Sequence, residues 1–265
     1  MDAPALLALD FDGVVCDGRR EYFEAAWRAY RRVWPDPLAA DRPDALAAEF
    51  FRQRPLVESG WEMPVLLHAL LARVEPAGLL DRAAWRATAR RLVADAGVTA
   101  EALGRALNAV RDEWFAADSA GWLAHHDFYP GVIERLPSLL EQTRVVVVTT
   151  KAERFARALL AGRDDRLAAV PVIGREPGRP VPKPEILARL AAQQRLVRGE
   201  GVWLVEDLLE ALEGAAAYPG LEGARLFLAA WGYNTLEDRA RASAHPRIRL
   251  LSLGRFAGPL DAWPR

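Results

Sequence analysis

Two aspartates two residues apart, Asp10 and Asp12, follow the apolar run Ala5-Leu6-Leu7-Ala8-Leu9 and precede Gly13. An apolar run that ends in acids and a glycine reads as a buried strand stopping at a functional loop. On an extended backbone, side chains two residues apart leave from the same face. Two carboxylates at the end of a buried strand are costly unless a cation or a proton compensates them. Such a pair suits one acid acting as a nucleophile and the other as a proton donor and acceptor. The competing reading is an Asp-Gly hairpin turn. Against it, Tyr22, Phe23, Ala26, Trp27, Tyr30, Val33 and Trp34 recur at helical spacing immediately afterwards.

Three further segments carry compatible chemistry. Val145-Val146-Val147-Val148 runs into Thr149-Thr150-Lys151. A hydroxyl at that point either donates to a phosphate oxygen beside backbone amides or caps the helix expected from Ala152. Lys183 lies between Pro182 and Pro184, which restrict its backbone. It reads either as an ammonium that neutralises a carboxylate and a phosphoryl oxygen, or as a solvated loop lysine. Lys151 and Lys183 are the only lysines in a chain rich in arginine, which favours the first reading. Gly201 to Val205 ends in Glu206-Asp207, with Glu210 three positions on. Acids at a buried strand end suit a hard divalent cation. Either Glu206 or Glu210 could supply the second acid beside Asp207, and Glu210 also reads as an ordinary exposed helix residue.

The elements that must position these groups fall into two textures. Between about Gly18 and Asp127, helices are expected over Arg20 to Val33, Asp44 to Arg52, Pro64 to Arg73, Asp81 to Ala94 and Thr99 to Ala117. Their punctuation is Pro35-Asp36-Pro37, Arg42-Pro43, Arg54-Pro55, Glu75-Pro76-Ala77-Gly78 and Gly97. Pro64 suits a first helical turn. After Tyr129, strands are expected at Arg144 to Val148, Ala169 to Ile173, Gly201 to Val205, Arg225 to Ala230 and Ile248 to Ser252. Helices such as Ala152 to Ala161 and Pro184 to Gln194 lie between them. Continuous apolar strands separated by helices imply an α/β fold with a mainly parallel sheet covered on both faces. Ligands in such sheets bind beyond the carboxyl ends of the strands. The helical block separates the first strand from the rest, as an insertion would.

The segments resemble, in order, the four motifs of the haloacid dehalogenase superfamily. They match Asp-x-Asp-Gly-[Val/Thr], four apolar residues then Thr, a Lys followed by Pro, and a strand-terminal acid. Trp231-Gly232-Tyr233 is similar to phosphoglycolate-phosphatase-like members. The fourth motif departs from the frequent Gly-Asp form, with Glu206 in the Gly place and Ala211 four after Asp207. The resemblance implies a Rossmann-like three-layer α/β/α core over residues 1–16 and 127–265. It implies an all-helical C1-type cap domain over 17–126, inserted after the first strand. It further implies a Mg²⁺-dependent phosphatase acting on a small phosphorylated metabolite through an aspartyl-phosphate. Asp10 would attack phosphorus, and Asp12 would protonate the leaving oxygen and then activate water. Asp10, Asp12 through its carbonyl, Asp207 and Glu206 would hold the metal. Thr149 and Lys183 would hold the transferring oxygens, with Gly13 and Thr150 beside the substrate.

In the helical block, Phe51 to Glu62 breaks the helical pattern with polar residues. Arg54 is expected to contact an anionic or hydroxylated leaving group, with Glu58 or Glu62 nearby. The alternative is a solvated turn holding an internal ion pair. Trp27, Trp61, Trp85 and Trp114 read as helical core. A phosphosugar mutase of the same fold, or a non-catalytic member binding a phospho-ligand or protein, are the alternative functions. Asp12 argues against a dehalogenase, and the lack of any lysine before Lys151 argues against Schiff-base chemistry.

The 265 residues carry a formal charge of −1, so no global basic field attracts nucleic acid. No apolar run approaches the roughly 20 residues of a membrane-crossing helix. One cysteine, Cys16, excludes an internal disulfide and reads as a small packing residue. No basic stretch followed by an apolar core opens the chain, so no signal peptide is expected. These points give a cytoplasmic protein, monomeric or a small homo-oligomer, with a small-molecule partner and neither nucleic acid nor membrane. His68, His125, His126 and His245 have no metal-ligand spacing.

Overall fold

The computed structural model describes residues 3–34, 45–74, 81–175 and 182–264. The breaks expected at residues 35–37, 42–43 and 75–78, the helix start at Asp44, and Val181 lie outside the described residues. The chain divides into two compact units, residues 1–17 with 127–265, and residues 18–126.

The first unit is built on a six-stranded sheet. Its strands are β1 (Leu6–Leu9), β4 (Arg144–Ala152), β5 (Val172–Arg175), β6 (Val202–Glu206), β7 (Arg225–Ala229) and β8 (Ile248–Leu251), in the order β5-β4-β1-β6-β7-β8. Every pairing is parallel. All four residues of β1 are buried. Leu6 and Ala8 pack on one face with α9 (Lys183–Gln193), α10 (Leu209–Ala217) and Ala242 of α11 (Leu236–Ala244). Residues on the opposite pleat, such as Trp203, enter an aromatic layer with Phe227, Phe256 and Trp263 at centroid separations of 5.2–5.5 Å. Burial on both faces explains why these strands read as unbroken apolar runs. Each fully buried aliphatic or aromatic side chain contributes roughly 1.5–3 kcal/mol.

A second pairing closes the ends of the unit. β2 (Cys16–Asp17) runs antiparallel to β3 (Asp127–Phe128), with Asp17 opposite Asp127. This keeps Asp17 with the sheet. Cys16 is buried, in keeping with a packing role. The helices α7 (Val132–Gln142), α8 (Glu153–Arg163) and α12 (Leu253–Ala257) complete this unit.

Two strands differ from their sequence-based limits by more than one residue. The expected Arg144 to Val148 strand continues to Ala152, and its register with β5 shifts between Val148 and Ala152. The Ala169 to Ile173 strand begins only at Val172, because residues 165–169 form a 3₁₀ turn and Pro171 has no N–H for the ladder.

The second unit is helical: α1 (Arg19–Val33), α2 (Leu46–Gln53), α3 (Glu62–Leu71), α4 (Arg82–Asp95), α5 (Ala100–Ala117) and α6 (Ser119–Leu123). Asp81 and Thr99 cap α4 and α5 by accepting from Ala84 N and Ala102 N. Its core includes Tyr30, Phe50, Trp85, Trp114 and Trp122. Trp27 and Trp61 are half-buried. Glu21, fully buried, accepts both Arg111 Nε and Nη2, at 2.7 and 3.0 Å. Among the described residues, no helix is long and apolar enough to cross a membrane.

Candidate active site

The register of the central strands assembles the site. β1 lies between β4 and β6, with Leu9 opposite both Val147 and Val205. Asp10, one residue past β1, therefore emerges beside Glu206, and its N–H donates to the Val205 carbonyl at 2.9 Å. Phe11 is buried, and its carbonyl accepts from Val14, Val15 and Cys16, wrapping the chain after the strand into a tight loop. This loop replaces the two-strand Asp-Gly hairpin.

Lys183, the first residue of α9, reaches both acids. Its Nζ lies 2.6 Å from Asp10 Oδ1 and 2.5 Å from Glu206 Oε2. The solvated-lysine reading fails, since the side chain is only 12% exposed. Burial opposes the charge on Lys183, but Asp10 and Glu206 together outweigh it and hold the ammonium above its usual range. Burial, and then the Glu206 charge, push the Asp10 carboxyl up to about 7 against the pull of Lys183. Glu206 is also raised, by burial first and Asp207 in part, with Lys183 opposing.

Asp10, Glu206 and Asp207 each present an oxygen, all within 4.8 Å of one another, and all three residues are buried. Glu210 is half-buried on α10 and lies outside this group. Glu206 is the neighbour of Asp207 that ends on the strand. Asp207 is fixed from below: its Oδ2 accepts Tyr233 N at 2.7 Å, and its carbonyl accepts Asn234 Nδ2 at 3.2 Å. Glycines permit this crowding. Gly13 sits at φ +89°, and a Cβ there would overlap the Asp207 carboxylate. A Cβ on Gly232 would overlap Asp207 Cβ and approach the Gly13 carbonyl to 2.5 Å.

Asp12 faces a partner that its sequence neighbourhood does not reveal. Lys151 Nζ lies 3.2 and 3.4 Å from its two carboxylate oxygens. Only the scarcity of lysine marked Lys151. Thr149 is buried and its Oγ1 accepts Lys151 N at 3.1 Å, whereas Thr150 is exposed. The capping alternative for Thr149 is overturned: α8 begins at Glu153 after Ala152, with no side-chain cap. The hydroxyl bonds within its own bulge instead.

Arg54 and Glu58 belong to the helical unit and have partners there. Arg54 is buried, donates from Nη1 to the Val57 carbonyl at 2.7 Å, and lies over the Tyr22 ring at 5.0 Å. The alternative of a solvated turn is met only in part: Arg54, Leu56 and Val57 are buried, Glu58 is half-buried and Ser59 is exposed. Glu58 pairs with Arg86 and, at 3.6 Å, with Arg82. Glu62 accepts Trp85 Nε1 at 2.7 Å and Ser59 N at 3.1 Å. His126 is buried, with Nδ1 3.0 Å from the Trp122 carbonyl.

The donor set fits a hard divalent cation. It is all oxygen, and four carboxylates (Asp10, Asp12, Glu206, Asp207) face two ammonium groups, a deficit that one divalent ion makes up.

Residues 4–218 match the profile of the haloacid dehalogenase-like hydrolases, and the chain belongs to that family. No curated protein matches it. Among solved structures it is similar to a predicted phosphoglycolate phosphatase from Haemophilus somnus, with TM-score 0.60, 14% identity and 96% of each chain covered. It is also similar to a predicted phosphatase from Clostridium acetobutylicum, with TM-score 0.59, 14% identity and 97% of each chain covered. A haloacid dehalogenase-like family protein from Streptococcus pneumoniae gives 0.57 and 14%, with 94% of this chain and 95% of that one covered.

Proposed function

We propose that this hydrolase is a Mg²⁺-dependent phosphatase that cleaves a small phosphorylated metabolite through an aspartyl-phosphate. The observation that carries the reading is the buried cluster in which Lys183 bridges Asp10 and Glu206 beside Asp207. An ammonium there pulls a nucleophilic carboxylate toward its charged form, against burial and the Glu206 charge, and offers a positive group to a phosphoryl oxygen.

Asp10 attacks phosphorus: an Asp10 Oδ–P bond forms as the ester P–O bond breaks. Asp12 gives a proton to the departing oxygen, then takes one from the water that hydrolyses the acyl phosphate. Asp10, Glu206, Asp207 and the Asp12 carbonyl would hold Mg²⁺, which would supply charge neutralisation to the transferring group. Thr149, Thr150 and the Gly13 backbone stand at the strand rim where phosphate oxygens would be received. In this reading the helical unit would serve as a C1-type cap, with Arg54 and Glu58 as its candidates for reading the leaving group. We take the substrate to be small and the protein to be a cytoplasmic monomer or small homo-oligomer.

Phosphate release from p-nitrophenyl phosphate with and without Mg²⁺ tests the reading, followed by a panel of small phosphate esters. Mg²⁺-dependent turnover that disappears in Asp10→Asn is the expected result. No turnover across the panel would move the assignment to a non-catalytic binder, and release of an isomer in place of free phosphate to a mutase.

A further inference from the structure

We infer that Lys151 is a positioning residue for Asp12, aiming its carboxyl at the leaving oxygen. The inference rests on the phosphatase reading above.

The chain contains 35 basic residues, and all but Lys151 and Lys183 are arginine. Both lysines touch an aspartate of the first motif, Lys183 on Asp10 and Lys151 on Asp12. Lys151 is not a surface lysine: its side chain is 5% exposed and that of Asp12 is 17%. Its backbone is held as firmly as its head. The N–H donates to Thr149 Oγ1 at 3.1 Å. The carbonyl lies where a Cβ on Gly174 would come within 2.7 Å, so only glycine on β5 admits the bulge that turns Lys151 toward the rim.

The ammonium lies at nearly equal distances from both Asp12 oxygens. A carboxyl held by this ammonium loses rotational freedom about its terminal bond: when protonated it keeps one oxygen on Lys151 and turns the other, with its proton, to the leaving oxygen, and proton transfer depends on that alignment. A compact ammonium presents a single point charge to both oxygens, where a guanidinium would spread its donors over a planar fork.

The test is the dependence of kcat/KM on leaving-group acidity, measured with Mg²⁺ across aryl phosphates from phenyl to 2,4-dinitrophenyl. A poor leaving group needs the Asp12 proton and an acidic phenol does not. Lys151→Met should lower kcat/KM for phenyl phosphate about 100-fold and for 2,4-dinitrophenyl phosphate less than about threefold, the pattern expected of Asp12→Asn. Adding Lys151→Met to Asp12→Asn should cost less than about threefold, because the group it positions is already gone. That pair also serves if Lys151→Met alone does not fold, since removing both partners leaves no buried charge unpaired. Equal losses across the series, or a further tenfold loss in the double variant, would overturn the inference while leaving the phosphatase reading intact. A wild-type protein inactive on every ester would overturn both.

Discussion

Replacing Lys183 with Met should expose how much the buried acids depend on one ammonium. Lys183 lies within 2.6 Å of both Asp10 and Glu206. Without it, two buried carboxylates lose their shared counter-charge, and breaking a buried pair in this way costs about 3–5 kcal/mol. The loss must depend on pH. In the wild type without metal, burial pushes the Asp10 carboxyl up to about 7, well above the usual range of an aspartate, so the native state holds its proton more tightly. A carboxyl raised in this way lowers stability as pH climbs from about 4 to about 7, and no further above that. In Lys183→Met, Asp10 and Glu206 both rise further, and the decline continues beyond pH 7. The variant should therefore lose least at pH 5, below the Asp10 value, and the full cost of about 3–5 kcal/mol by pH 8. Urea unfolding in EDTA at pH 5, 7 and 8 measures this. An equal deficit at pH 5 and pH 8 would refute the electrostatic account and leave only lost packing.

Mg²⁺ at about 100 times its dissociation constant should stabilise the wild type by about 2.7 kcal/mol in a thermal scan, and Asp207→Asn should abolish most of that gain. Gly232→Ala should destabilise by about 1–3 kcal/mol and weaken Mg²⁺ binding in calorimetry, because the new methyl overlaps Asp207. Arg54→Ala should lower kcat/KM at least about tenfold for the preferred ester; an unchanged value for every accepted ester would leave Arg54 a packing residue over Tyr22.

The division between what sequence and fold supply follows particular residues. Asp10, Lys183 and Asp207 were legible because each stands at a change of pattern, where an apolar run meets polar residues or a helix opens after proline. Buried strands are continuous in sequence, so their ends announce themselves. The parallel sheet was legible for the same reason. The choice between Glu206 and Glu210 was not, because both are acids near one strand end. Only the strand continuing through Glu206, with Lys183 arriving from α9, placed the first in the acid group. Lys151 and Asp12 are 139 positions apart, and no local pattern joins them. Trp231-Gly232-Tyr233 carried a family likeness but no reason for the glycine, which is that Asp207 occupies its missing side chain's place. Sequence alone determined which segments end at a rim. Which rims lie side by side was decided by the β4-β1-β6 adjacency, since strand neighbours are selected by burying both faces of β1 at once and not by anything written within a single strand.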